Sequence, residues 1–220
     1  MDFRLESPAL LLLVAGSGAG KTYLAKQAVE NRAHIFKHKF EKIIWHYSEW
    51  QQIYESLQSD HGVIFIEGPP TPDQYPPSES PKWVICDDFQ DQITKNNTDF
   101  VHFAIKSIHH RNLHFWLLLQ TLFPPKMKQI SLQAHYVILM KQRRDLSQIR
   151  SFVLQVAPSN WRALMEAYYD ATLEPHSHIL FDFHPRQKDF LRIRSGLLEH
   201  QQKVVYIPKS SFKSSMITDQ

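Results

Sequence analysis

The sequence predicts an α/β protein with a central, largely parallel sheet. Two observations carry this prediction. Short unbroken apolar runs alternate with stretches of helical periodicity, and the first junction between them is a glycine-rich turn. Strands of a parallel sheet are covered on both faces, so they read as continuous apolar runs rather than alternating ones. Composition agrees with a packed core: of 220 residues, 43% are hydrophobic and 21% charged, which excludes global disorder.

The elements follow in order. Ala9–Val14 is the first buried strand. Gly16, Gly18 and Gly20, three of only six glycines, form the turn after it. Lys21 to Ala33 reads as a helix with Leu24, Ala25, Ala28 and Val29 on one apolar stripe. Lys42–Tyr47 is a second strand, and Ser48 is a candidate cap for a helix reaching Leu57. Val63–Ile66 is a third strand. Residues 68–81 hold six prolines in fourteen positions, which permits no regular element and predicts a surface loop inserted within one domain. Trp83–Cys86 resumes the sheet and ends in Asp87-Asp88. A helix over 100–108, a strand over Leu113–Leu119 ending at Gln120, and a strand over Tyr136–Met140 come next. Asp145–Val156 and Trp161–Thr172 read as amphipathic helices separated by Pro158. Residues 178–183, 190–194 and 203–207 read as late strands forming a hairpin-like extension. One domain over 1–209 and a flexible tail over 210–220 are expected.

Several function classes drop out. The longest apolar run, Pro8 to Ala15, is eight residues, far short of the roughly 20 that span a bilayer, so no membrane partner is expected. The N-terminus carries Asp2 and Glu6 and lacks the apolar core of a secretory signal. The single cysteine, Cys86, excludes an internal disulfide and fits a reducing, intracellular setting. A net charge of +3 permits a nucleic-acid partner without requiring one. The thirteen histidines show no ligand spacing, and His109-His110 lacks a third ligand nearby.

Chemistry concentrates in three places. Ala15 to Thr22 (AGSGAGKT) fits a relaxed Walker A pattern between a strand and a helix. Backbone N–H groups of Gly16, Ser17, Gly18, Ala19 and Gly20 would cradle the phosphates of ATP, and the following helix N-terminus would add positive potential. Lys21 would reach the β- and γ-phosphates, and the Thr22 hydroxyl would meet Mg2+. Asp87 and Asp88 end a strand 66 residues after Lys21. Asp87 is expected to hold the metal through water and Asp88 to act as general base on the attacking water. Gln120 ends the strand expected between those of Asp87 and the glycine loop, where its amide could touch both γ-phosphate and water. A nucleoside or nucleotide kinase and a non-catalytic nucleotide binder remain as alternatives. A kinase would want an arginine-rich lid rather than a double acid followed by a strand-end glutamine.

With these motifs in place, the chain resembles the HerA–FtsK superfamily of P-loop ATPases, and within it the genome-packaging ATPases of the poxvirus and Polinton (Maverick) type. The resemblance spans roughly residues 10–209. It is carried by GSGAGKTYL (16–24), IIWHYSEWQ (43–51), VIFIEGPP (63–70), WVICDD (83–88), HHRNLHFWLLLQTLF (109–123) and ISLQAHYVILMKQRRDLSQI (130–149). AYYDAT (167–172), LFDFHP (180–185) and VYIPK (205–209) complete it. The resemblance implies an additional-strand, RecA-like P-loop fold. It also implies a homo-oligomeric ring that hydrolyses ATP and drives double-stranded DNA into a capsid, with a capsid or portal-vertex protein as partner, in the host nucleus or at a viral assembly site. It further implies an arginine finger acting on a neighbouring subunit, a role that falls on Arg111; Arg144 is the second candidate, for a trans contact or for DNA phosphate. Asp145 is read as the local partner of Arg144 or as a helix N-cap.

Duplex phosphates would be met by Lys126 and Lys128 and by the Lys141, Arg143 and Arg144 cluster, because a motor must grip backbone rather than bases. The sequence departs from the pattern at Ala15, in the short segment PPKMK (124–128), and at Asp88, where many relatives carry Glu.

Overall fold

The structure, a computed structural model, describes residues 2–91, 98–122 and 128–207. The expected tail and Lys126 lie outside the described residues. Among the described residues, nine strands form one sheet: β1 (Ala9–Val14), β2 (Lys42–Tyr47), β3 (Ile64–Glu67), β4 (Lys82–Asp87), β5 (Leu113–Leu119), β6 (Tyr136–Met140), β7 (His178–Asp182), β8 (Ile193–Ser195) and β9 (Val204–Val205). Their spatial order is β3-β2-β4-β5-β1-β6-β7-β8-β9. The first six in that row run parallel, and the last three join antiparallel. β5 stands between β1, which delivers the glycine loop, and β4, which delivers the acids. That inserted strand defines the additional-strand arrangement, so the fold is an α/β P-loop NTPase fold.

Helices cover both faces. They are α1 (Lys21–Glu30), α2 (Arg32–Ile35), α3 (Ile53–His61), α4 (Thr98–His110), α5 (Lys128–Gln133), α6 (Leu146–Val156) and α7 (Trp161–Ala171). Leu10, Leu12 and Val14 of β1 pack into the core under α4, α6 and α7, while Leu11, Leu13 and Ala15 pack into the core under α1 and α3. All six residues of β1 are buried to 1% exposure or less.

Several boundaries differ from expectation: the last strand spans only Val204–Val205, the third is Ile64–Glu67, and the proline-rich insertion holds a 3-10 turn over Pro72–Gln74. The helix after the glycine loop stops at Glu30 rather than Ala33, because the Asn31 N–H and its side-chain amide both bind the Gln27 carbonyl and close the last turn. Ser48 caps nothing. Residues 48–52 loop outward, Trp50 packs edge-on to Tyr47 and Tyr54, and the helix begins at Ile53. Residues 189–191 form a 3-10 turn rather than part of a strand. The closing β8–β9 hairpin turns on Gly196 at φ 79°, where a Cβ would collide with the Gln202 carbonyl.

The proline-rich insertion is tied down from beneath. Tyr75 is buried, and its hydroxyl meets Nε2 of buried His46 at 2.5 Å. The Gly68 carbonyl, 2.8 Å from His46 Nδ1, can only accept, so Nδ1 carries the proton and Nε2 accepts from Tyr75. Thus His46 works as a neutral imidazole, and burial pushes its pKa down to about 4. Burial likewise takes His114 down to about 3 and His178 to about 4.

At the sheet's far side, Arg194 and Asp182 form a buried pair at 2.9 Å, 3% and 1% exposed. Arg194 also donates to the carbonyls of Leu191 and Phe3.

Two predictions follow from this packing. Arg194→Met leaves the buried Asp182 charge without its paired cation, although the His184 N–H and the Gln187 amide still donate to it, and should lower unfolding free energy by about 3 kcal/mol in a urea titration. His46, His114 and His178 have folded pKa values below the unfolded value near 6.5, so their stabilisation is complete above that pH and is lost as pH falls towards about 4. Each should cost on the order of 1 kcal/mol at pH 5.5, read as a lower urea midpoint at pH 5.5 than at 7.5.

Candidate nucleotide site

The glycine loop leaves β1 where the Ala15 N–H binds the Leu119 carbonyl at 3.0 Å. It enters α1 at Gly20, the N-cap, with φ 95°. A side chain at Gly20 would be strained by that φ and would also strike the imidazole of His176. The Lys21 ammonium donates to the carbonyls of Ala15 at 2.9 Å and Gly16 at 3.3 Å, folded back over its own loop. Burial lowers its pKa, opposed by the charges of Asp87 and Asp88.

Asp87 ends β4 and is 4% exposed. Its Oδ2 accepts from the Thr22 hydroxyl at 2.8 Å and from the Tyr54 hydroxyl at 3.1 Å. Burial raises the Asp87 pKa, while those two hydrogen bonds and Lys21 oppose the rise. Asp88 is exposed and left-handed, at φ 66°. Its Oδ1 accepts from the Gln120 side-chain amide at 3.1 Å. Asp tolerates the left-handed region better than most residues with a Cβ, which gives a backbone reason for Asp rather than Glu here. Gln120 is held in turn by the Gln90 amide oxygen, which accepts from the N–H groups of Gln120 and Thr121.

The loop forms a ridge between two hollows. One, of about 500 Å³, is lined by Ser17, Gly18, Gly20, Lys21, Thr22, Gln51, Gln52, Asp87, Asp88 and Gln120. The second, of about 610 Å³, is lined by Gly16 to Ala19, Met140 to Arg144 and Glu174 to Ser177. The structure therefore gathers Lys21, Thr22, Asp87, Asp88 and Gln120 from three adjacent strand ends into one place. It sets Arg143 and Arg144 in the hollow on the loop's other side, beside Gly16–Ala19, rather than on a separate surface. Asp145 caps α6 by accepting from the Gln148 N–H.

Arg111 is not gathered there. It precedes β5 at the opposite end of the strand, about 20 Å away at the rise of an extended chain. Its guanidinium donates to the carbonyls of Pro72 and Tyr75, so within its own chain it anchors the proline-rich insertion. Lys128 opens α5.

An Mg2+ ion fits the first hollow by its donor chemistry: a threonine hydroxyl and a desolvated carboxylate share one hydrogen bond beside a phosphate cradle. Mg2+ keeps most of its water and needs few protein ligands.

Three contributors escape a reading of the sequence. Tyr54 lies on the buried stripe of α3 with Leu57 and looks like core; the hint is that a buried tyrosine hydroxyl needs a partner. Gln142 lies two residues past β6, near where Gln120 directly follows β5. Its amide reaches the Gln120 carbonyl at 3.4 Å and its Oε1 lies against Gly16. His176 comes from a distant loop and shares a ring contact with Tyr23 at 5.6 Å.

No protein-family model matches the chain, and no curated protein does. Solved structures do. The DNA-packaging ATPase B204 from Sulfolobus Turreted Icosahedral Virus aligns with a TM-score of 0.56 at 12% identity, covering 93% of this chain and 99% of that one. The genome packaging NTPase B204 from Sulfolobus turreted icosahedral virus 2, in complex with AMPPCP, aligns with a TM-score of 0.57 at 16% identity, covering 91% and 98%. The cytoplasmic domain of the Thermomonospora curvata Type VII Secretion ATPase EccC aligns with a TM-score of 0.52 at 12% identity, covering 90% of this chain and 25% of that one. At these identities the likeness is one of fold, and it extends across nearly the whole chain.

The two constraints at Gly20 give a test. Gly20→Ala should weaken binding of a fluorescent ATP analogue at least tenfold, measured by anisotropy, whereas Gly62→Ala, at a left-handed turn with open space around it, should leave binding unchanged.

Proposed function

We propose that this chain hydrolyses ATP and uses the cycle to move double-stranded DNA in genome packaging, as a ring-forming member of the HerA–FtsK superfamily of the poxvirus or Polinton type. The carrying observation is the pairing of Thr22 with Asp87 and of Gln120 with Asp88 inside the hollow that holds Lys21. The full-length likeness to packaging ATPases of other viruses supports the motor reading.

In this reading ATP lays its phosphates along the glycine loop and its nucleoside towards the second hollow, near His176 and Gln142. Lys21 exchanges its contacts with the Ala15 and Gly16 carbonyls for phosphate oxygens. Thr22 and Asp87 would hold Mg2+, which would neutralise charge on the phosphate oxygens. Asp88 accepts the proton of the attacking water and Gln120 orients that water against the γ-phosphate, giving ADP and phosphate. Positioning and electrostatics supply most of such catalysis, so losing either group leaves the nucleotide bound.

Arg143 and Arg144 line the second hollow, beside residues 16–19 of the glycine loop. Arg111 would have to leave the Pro72 and Tyr75 carbonyls to act as a finger on a neighbouring copy. Among the described residues no contact specifically supports the alternative kinase reading. Duplex DNA and a capsid protein are the proposed partners, with DNA held mainly through phosphates.

Phosphate release with and without duplex DNA tests the proposal. Wild type should release free phosphate, faster with DNA. Lys21→Ala should abolish release, and Asp88→Asn should lower it about 100-fold or more while ATP binding persists. Transfer of the phosphoryl group to a nucleoside would replace the hydrolase reading with the kinase one, and indifference to DNA would remove the motor.

A further inference from the structure

We infer that Tyr54 is a positioning residue for the metal-holding carboxylate: its hydroxyl, with that of Thr22, fixes the rotation of Asp87 so that Oδ1 faces the metal's water shell. The inference rests on the reading of the first hollow as an Mg–ATP site.

Both hydroxyls converge on one oxygen, Oδ2, at 2.8 Å and 3.1 Å. No donor reaches Oδ1 among the described residues. The last torsion of an aspartate is broad and soft, so one hydrogen bond from Thr22 would leave the carboxylate free to swing. Thr22 is itself the residue that must turn towards a metal, which makes it a poor sole anchor. Tyr54 is a better one. It is fully buried, and its ring is boxed by Trp45 at 5.4 Å, Phe65 at 4.8 Å and Trp50 at 5.5 Å. A tyrosine held so firmly gives up little freedom in making the bond. Its position on α3 also carries a consequence: the edge of the sheet and the loop 48–52, whose Gln51 and Gln52 line the hollow, are mechanically joined to the metal site through one ring.

The test uses Tyr54→Phe, which keeps the ring and deletes the oxygen. Binding of a fluorescent, non-hydrolysable ATP analogue is measured in EDTA and across an Mg2+ titration, together with the thermal midpoint of the metal-free chain. The expected result is an Mg2+ requirement raised about tenfold, with affinity in EDTA within about twofold of wild type, as fits loss of one hydrogen bond to a charged group. In an Asp87→Asn background the same change should have no further effect on the Mg2+ requirement, because Tyr54 acts through that carboxylate. An unchanged Mg2+ requirement overturns the inference, and so does an equal loss in EDTA, which would make Tyr54 a part of the general packing. Absence of any Mg2+ dependence in the wild-type chain overturns the reading of the hollow and this inference with it.

Discussion

Strand β1 has partners on both edges and helices on both faces, so none of its six residues can carry a polar side chain without burying it. That constraint organises the molecule. The strands beside it obey the same rule, and polar groups are expelled to where the strands end. Because β1, β4, β5 and β6 run parallel, their carboxyl ends fall together. Lys21, Asp87, Asp88, Gln120 and Gln142 all lie at or just beyond those ends. The site is what remains when a parallel sheet sends its polarity to one rim, the place where open α/β sheets bind ligands.

Within that rim the backbone does as much as the side chains. Three left-handed residues, Gly18, Gly20 and Asp88, shape the loop and aim the second acid. Asp88 at φ 66° is a costly conformation for a residue with a Cβ, and such outliers gather where geometry serves a site. Gln90, Gln120 and Gln142 then tie neighbouring strand ends together through amide contacts, so the rim is a connected hydrogen-bonded surface rather than a row of independent loops.

The proline-rich insertion is held at two levels of the sheet, by His46 beside the carboxyl end of β2 and by Arg111 before the amino end of β5, with Tyr75 meeting both. Their hydrogen bonds are made within the chain. The Arg111 guanidinium is engaged by two carbonyls of its own chain, whereas Arg143 and Arg144 line the second hollow beside the glycine loop.

Continuous apolar runs are forced by burial on both faces, and a glycine turn between strand and helix follows from the tight left-handed backbone. These local requirements made the strand order along the chain, the glycine loop and the acid pair legible from residues alone. Helix ends were less so. Asn31 closes α1 by binding Gln27, and the loop after β2 follows the packing of Trp50 on Tyr47 and Tyr54, which no local pattern encodes. The side chains that complete the site, Tyr54, Gln142 and His176, were hidden for the same reason: each comes from a separate element and acts only where the sheet order brings it. Sequence determined which residues must be buried and which backbone positions must turn. Only the tertiary structure decided which polar groups meet, because that depends on the spatial order of strands and not on their order in the chain.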